Sequence, residues 1–416
     1  MSQIDASAGG RPKRALLAWE FGSGRTHVGN LLGVAGHLRR SGVECLAALY
    51  DLRFASEFAA LGIPVVQNYV WPARRRAPFP WQEREARALG DALANLGLAD
   101  PPSLAAALAH YDGLFALFEP DIVLSENAFG AVLAARGRRP AIAFGTGSCL
   151  PPLDGAGFDL REGSKGPPSW PEEHVRTEIN KGLATAGRPP LGALSDLLRI
   201  EGVYPFGPRE FDVHGPRRRD PMLPPYVPAL DRPITVSNGD EIFVYLHGFV
   251  QGNAEIMAGL RAIDRPMRLY IPELATDQRL GFAGSCQFEE RAVPVPEILR
   301  RSRAVIHHGG PQLTTLCLAA GLPQVIIAKE LDNELCARFV LERGLGAARF
   351  VTDAKAAWLT SVGRRAYDDV EVKGRCAAAA PEFAGWLTND PTRTVAEAAL
   401  SLIGARDRTP AISGGR

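Results

Sequence analysis

Two stretches of this chain carry residues able to move a proton or hold a phosphate. The first is GSGRTHVG, Gly22 to Gly29, which follows the apolar run RALLAWEF. With Asp51 after the next apolar run, it is close to the GxGxxG pattern of dinucleotide-binding turns. His27 stands where that pattern has its last glycine. At a helix N-terminus the helix dipole keeps an imidazole neutral, which suits a proton acceptor. The plainer reading is a loop histidine without a chemical role. A histidine base usually has a carboxylate that orients its ring, and Glu126, at the end of the run DIVLSE, is the candidate. Its alternative is a polar strand-end residue that caps the next helix. Asp121 precedes the same run and belongs at the opposite edge.

The second stretch is AVIHHGGPQLTT. His307 and His308 end an apolar run, Gly309 and Gly310 form a turn, and Pro311 suits a first helical position. Free N–H groups at such a helix start bind anions, although Pro311 supplies none. Thr314 and Thr315 offer hydroxyls that can point back at a ligand. The two histidines lack a third metal ligand at a telling spacing, so no metal is expected. Asp332 and Asn333 follow the next apolar run. That pair suits either sugar hydroxyls or a helix N-cap, and on residue type alone the cap is favoured.

These residues need elements to position them. Apolar runs alternate with helical periodicity over RALLAWEF, NLLGVAGHLRRSG, VECLAALYD, GIPVVQNYVW, PDIVLSENA and PAIAFGTGS, with helical segments over 82–118. A second alternation runs through EIFVYLHGF, AEIMAGLRAI, MRLYIPEL, PEILRRS, AVIHH, TTLCLAAG and PQVIIAK, and the remainder reads as mostly helical. Between them, 150–233 is proline-rich with few strand signals. The expected fold is α/β, with two Rossmann-like domains facing across a cleft and ligands beyond the carboxyl ends of the strands. The expected layout is a tail at 1–14, one domain over 15–225, a second over 226–400, and a helix end and tail at 401–416.

The 416 residues are long for one domain, consistent with that division. Hydrophobic residues make up 46% and charged residues 22%, as in ordinary globular proteins. A formal net charge of +1 argues against a nucleic-acid partner. The six cysteines are scattered without a CxxC pair, so free thiols are expected. The start MSQIDASAGGRPKR lacks a signal-peptide core, and no run nears the ~20 apolar residues that span a bilayer. A cytoplasmic protein, monomer or homodimer, is expected.

Taken together, His27, the histidine–glycine turn and Asp332–Asn333 resemble the inverting, nucleotide-sugar-dependent glycosyltransferases of the GT-B fold. The similar family includes plant secondary-metabolite and bacterial antibiotic and macrolide glycosyltransferases. The resemblance is strongest over 289–350, moderate over 15–51 and weak over 150–233. It implies a sugar transferred from a UDP- or dTDP-sugar to a hydroxyl or similar nucleophile of a small-molecule acceptor. It implies that His27 is the general base and Glu126 its acidic partner, which in the family is usually Asp. It gives the first domain to the acceptor and the second to the donor. His307 is then the contact to the donor diphosphate, with Gly309, Gly310 and Thr314 around it. Asp332 and Asn333 match the family's Asp-Gln pair for the donor sugar. The backbone near Val293 matches the nucleobase segment, and Leu246, His247 and Gly248 match a loop near phosphates and sugar. No cofactor is implied beyond the nucleotide-sugar co-substrate. Pro311, Gln312 and Leu313 depart from the small residues and threonine of many bacterial members.

Acceptor-side candidates are Trp71, Phe79 and Trp81, able to stack on a flat or apolar molecule, and Thr146 and Ser148 at a strand end. Arg74, Arg75 and Arg76 form either a solvated face or a docking point for an anionic acceptor. The alternatives are a nucleotide-sugar epimerase or hydrolase, and a catalytically weak nucleotide-binding partner protein. A nicotinamide enzyme is the least supported.

Overall fold

A computed structural model describes the chain except 1–10, 23–24, 73–85, 154–157, 159, 161–164, 228–233, 247–249, 251, 273, 283 and 408–416. His247, Gly248, Phe79, Trp81 and the three arginines at 74–76 lie outside the described residues. The chain divides into two compact units, one of 1–206, 214–226 and 390–416, the other of 207–213 and 227–389.

The first unit contains β1 (Arg14–Trp19), α1 (Arg25–Arg40), β2 (Glu44–Leu49), α2 (Ala55–Ala59), β3 (Val65–Gln67), α3 (Leu89–Asn95), α4 (Pro101–Phe118), β4 (Ile122–Glu126), α5 (Phe129–Ala135), β5 (Ala141–Thr146), α6 (Glu172–Thr185) and β6 (Gly202–Phe206). Its strands pair in parallel in the order β3-β2-β1-β4-β5-β6. Continuous apolar runs make such strands because both faces are covered. Along β1, Leu16 and Ala18 pack with α3, α4, α5 and α6, while Ala15, Leu17 and Trp19 pack on the α1 side.

The second unit contains β7 (Glu241–Tyr245), α7 (Ala254–Arg261), β8 (Met267–Tyr270), β9 (Cys286–Phe288), α8 (Val295–Arg301), β10 (Ser302–His307), α9 (Pro311–Ala319), β11 (Gln324–Ala328), α10 (Leu331–Glu342), β12 (Gly346–Phe350), α11 (Ala356–Asp368) and α12 (Val370–Ala384). Its parallel order is β12-β11-β10-β7-β8-β9, which is the topology of the first sheet repeated. In each sheet the strand order reverses direction between the first and fourth strands. The crevice at that switch point is where open α/β sheets bind ligands.

The last helix, α13 (Pro391–Asp407), corrects the expected boundary at residue 400. From Asp390 the chain belongs to the first unit. There Val395, Ala396, Ala399 and Ile403 bury against the α1 side of the sheet, and His37 Nε2 meets Asp390 Oδ2 at 2.8 Å. The proline-rich region also holds a strand, β6, and a helix, α6. Among the described residues no helix is long and apolar enough to cross a membrane.

Candidate active site

The first switch point lies between β1 and β4, and it brings His27 to Glu126. β1 and β4 pair with Trp19 opposite Glu126. His27 is the third residue of α1, the helix that leaves β1, and its Nδ1 lies 2.6 Å from Glu126 Oε2. A carboxylate only accepts, so Nδ1 carries a hydrogen, which in the neutral tautomer leaves the lone pair on Nε2. Asn30, one turn further along α1, donates from Nδ2 to Glu126 Oε1 at 2.9 Å. Glu126 is fully buried and His27 nearly so, and Trp19 stacks on the imidazole with centroids 5.7 Å apart. Gly22 and Gly145, at φ of 86° and 121°, flank the pair. A Cβ would stand 2.0 Å from His27 Nε2 at the first and 2.5 Å from Glu126 Oε1 at the second. Asn30 and Gly145 escaped sequence reading, although Asn30 lies on the same helical face as His27, three residues on.

The neighbouring candidates take other jobs. Asp51 caps a short 3-10 turn and pairs with Arg53, whose guanidinium holds its carboxyl below the usual range. Asp121 accepts from Arg14 N at the start of β1, the far end of the sheet. Trp71 is corrected: its ring is fully buried and its Nε1 donates to Glu20 Oε2 at 3.0 Å, so it does not stack on an acceptor. Thr146 ends β5 and Ser148 lies in the turn after it, both partly exposed.

The second switch point lies between β7 and β10, and it carries the glycine turn. Side chains alternate along a strand, so His307 follows Val305 toward α9 and into the core. His307 is fully buried. Its Nε2 bonds Gln324 Oε1 at 2.9 Å and its Nδ1 accepts from Gly309 N at 3.2 Å. Burial pushes its imidazole down to about 4. With both nitrogens occupied inside the unit, the expected contact of His307 with a donor is corrected. His308 is the partly exposed member of the pair, edge-on to Tyr245 at 5.2 Å. Gly309 needs its positive φ of 88°, since a Cβ would press 2.7 Å from Ile326 Cγ2.

Gly310 is the N-cap of α9 and Pro311 its first residue, so the first N–H groups of the helix are those of Gln312 and Leu313. Thr314 is also corrected. Its hydroxyl donates to Gly310 O at 2.9 Å and Thr315 donates to Pro311 O at 2.8 Å, both buried within the helix. Asn333 is largely a structural residue: its Oδ1 accepts from Glu330 N at 3.2 Å and its Nδ2 bonds Asp332 Oδ1 at 3.2 Å. Its Nδ2 also reaches Gly309 O at 3.5 Å, which ties the start of α10 to the glycine turn. Asp332 is partly exposed at the first turn of α10. Val293 is half-buried ahead of α8, and Leu246 is buried after β7. Among the described residues no group of three or more His, Cys, Asp or Glu could hold a metal.

Residues 254–394 match the family model of the erythromycin biosynthesis protein CIII-like C-terminal domain. A 61-residue stretch is 43% identical to the elloramycin glycosyltransferase ElmGT of Streptomyces olivaceus, spanning 15% of this chain and 16% of that protein. The crystal structure of the calicheamicin glycosyltransferase CalG4 matches with a TM-score of 0.67 and 22% identity, covering 95% of this chain and 99% of that one. The glycosyltransferase VinC, solved in complex with DTDP, matches with a TM-score of 0.60 and 17% identity, covering 94% and 100%. The likeness over residues 254–394 is thus to the erythromycin biosynthesis protein CIII-like C-terminal domain, and the chain as a whole has the two-domain GT-B fold of the structures it matches.

Proposed function

We propose that this protein is an inverting glycosyltransferase that moves a sugar from a nucleoside diphosphate sugar to a hydroxyl or similar nucleophile of a small molecule. The observation that carries this reading is the His27 Nδ1–Glu126 Oε2 contact of 2.6 Å, with Asn30 on the second carboxylate oxygen. In the proposed step the acceptor oxygen attacks the anomeric carbon as the bond from that carbon to the diphosphate oxygen breaks. The acceptor's proton passes to His27 Nε2, and Glu126 stabilises the imidazolium. A single displacement inverts the anomeric centre. The leaving diphosphate takes its charge to the start of α9 and to His308, where the N–H groups of Gln312 and Leu313 meet an anion with the positive end of the helix. The reading assigns this neutralisation to protein groups and to no metal. The DTDP bound to VinC favours a dTDP-sugar over a UDP-sugar as donor.

The test begins with a thermal-shift screen of nucleotides and nucleotide sugars, since a ligand of the folded state raises stability by mass action. Transfer from the donor so found is then followed over a panel of small-molecule acceptors, with the anomeric configuration of the product read by NMR. His27→Ala is expected to lower kcat by roughly 10²- to 10⁴-fold with donor binding retained. Unchanged turnover in that variant, or a product of retained configuration, sinks the mechanism. Release of free or epimerised sugar without an acceptor points to a hydrolase or epimerase instead.

A further inference from the structure

Next to the catalytic pair sits a second buried carboxylate that the proposed reaction does not use. Glu20 follows β1 directly and is 1% exposed. Its Oε1 accepts from Tyr111 OH at 2.6 Å and Ala131 N at 3.0 Å. Its Oε2 accepts from Trp71 Nε1 and Gly130 N, both at 3.0 Å. All four acceptor positions of the carboxylate are thereby filled. Three of the donors, an indole and two amides, cannot reverse their role. The fourth, the Tyr111 hydroxyl, itself accepts from Asn68 Nδ2 at 2.8 Å. The ionised carboxylate therefore matches its surroundings, although burial pushes the Glu20 carboxyl up.

Two of those donors belong to the first turn of α5, and α5 is the helix that follows Glu126. Its own N-cap residue is Ala128, which has no side-chain cap. Glu20 supplies the missing cap from another strand, at the positive helix end where a carboxylate is favoured. The backbone reinforces the link, because Phe21 N donates to Asn127 O at 3.1 Å. The other end of the network is Trp71, so one buried anion ties the loop after Glu126 to the residues that follow β3.

We propose that Glu20 is a positioning residue of the acceptor side, holding the Glu126 loop and Trp71 in register; this rests on the transferase reading above. Glu20→Gln replaces an accepting oxygen with an NH2 group that must oppose an N–H which cannot turn. Gly130→Ala presses a methyl toward Oε1, since a Cβ there would lie 2.6 Å away. Trp71→Phe keeps a ring but deletes one donor.

The experiment measures kcat and KM for acceptor and donor separately, in wild type and in folded variants checked by circular dichroism. Glu20→Gln is expected to lower kcat/KM for the acceptor at least tenfold while the dissociation constant for the donor nucleotide stays within twofold. Trp71→Phe, a second variant that leaves the carboxylate in place, is expected to move the same parameter three- to tenfold. An active wild type matched within twofold by the variants for acceptor kcat/KM overturns the inference, even where their melting temperatures drop. A drop shared equally by donor and acceptor parameters also overturns it, because it marks general loosening. A wild type that transfers no sugar sinks the transferase reading and this inference together.

Discussion

In each unit a histidine at the switch point meets a side chain from an adjacent strand, and the two pairs are chemically opposite. His27 meets the carboxylate of Glu126 from β4, and His307 meets the amide of Gln324 from β11. A carboxylate beside an imidazole suits the proposed proton acceptor. An amide brings no charge, and burial holds His307 neutral to about pH 4. The second histidine accepts from Gly309 N and supports the turn from beneath, while His308 is the partly exposed neighbour. His27 lies in the helix after the first strand of its sheet and His307 ends the fourth strand of the other, and one is a candidate base while the other is a brace. The partner and the burial set the difference.

That contrast can be tested by erasing it. Glu126→Gln turns the first pair into a copy of the second, and kcat is expected to fall by ~10²-fold or more with donor affinity retained. Steady-state kinetics check this, and a loss below threefold would mean that the carboxylate is only structural.

The next effect is on stability. Folded His307 stays neutral down to about pH 4, whereas the unfolded chain takes up its proton near 6.5. The unfolded state binds more protons across that window. Stability present above pH 6.5 is therefore lost as pH falls toward 4, by roughly 3 kcal/mol from this residue at full extent. Urea unfolding from pH 7 to 4 measures it, and His307→Leu is expected to flatten the slope. A slope shared by wild type and variant would assign the acid sensitivity to other groups.

The smallest effect concerns Thr314. Its hydroxyl serves Gly310 O inside α9, so Thr314→Val is expected to cost about 1 kcal/mol of stability and leave donor affinity within twofold. A tenfold loss of donor binding, read by calorimetry, would return Thr314 to the ligand.

Much of this was legible in advance, and the misses share causes. Central strands such as IVLSE and AVIH are apolar on both faces, so their runs stand out. The unread strands β6, β9 and β12 all lie at sheet edges, where sequences such as GVYPF, CQF and GAARF need bury only part of their surface. The His307 assignment failed on strand alternation: Val305 and His307 share the face turned to α9, and that spacing was available in the sequence. Trp71, an aromatic near an irregular segment, gives no hint in sequence that a buried glutamate awaits its N–H.

Local order in the chain was enough to define the alternation of strands and helices, to put His27 and Glu126 at strand ends, and to put the glycine turn ahead of a helix. Those features depend on periodicity and turn chemistry within short windows. Which groups meet depends on pairings between distant positions. Asn30 on Glu126, Gln324 on His307, Glu20 capping α5 and the return of α13 to the first unit all join residues brought together by parallel strands and their crossovers. No window of sequence contains both partners. The chain therefore names its candidate acids and bases, but the packed sheet decides which partners they meet.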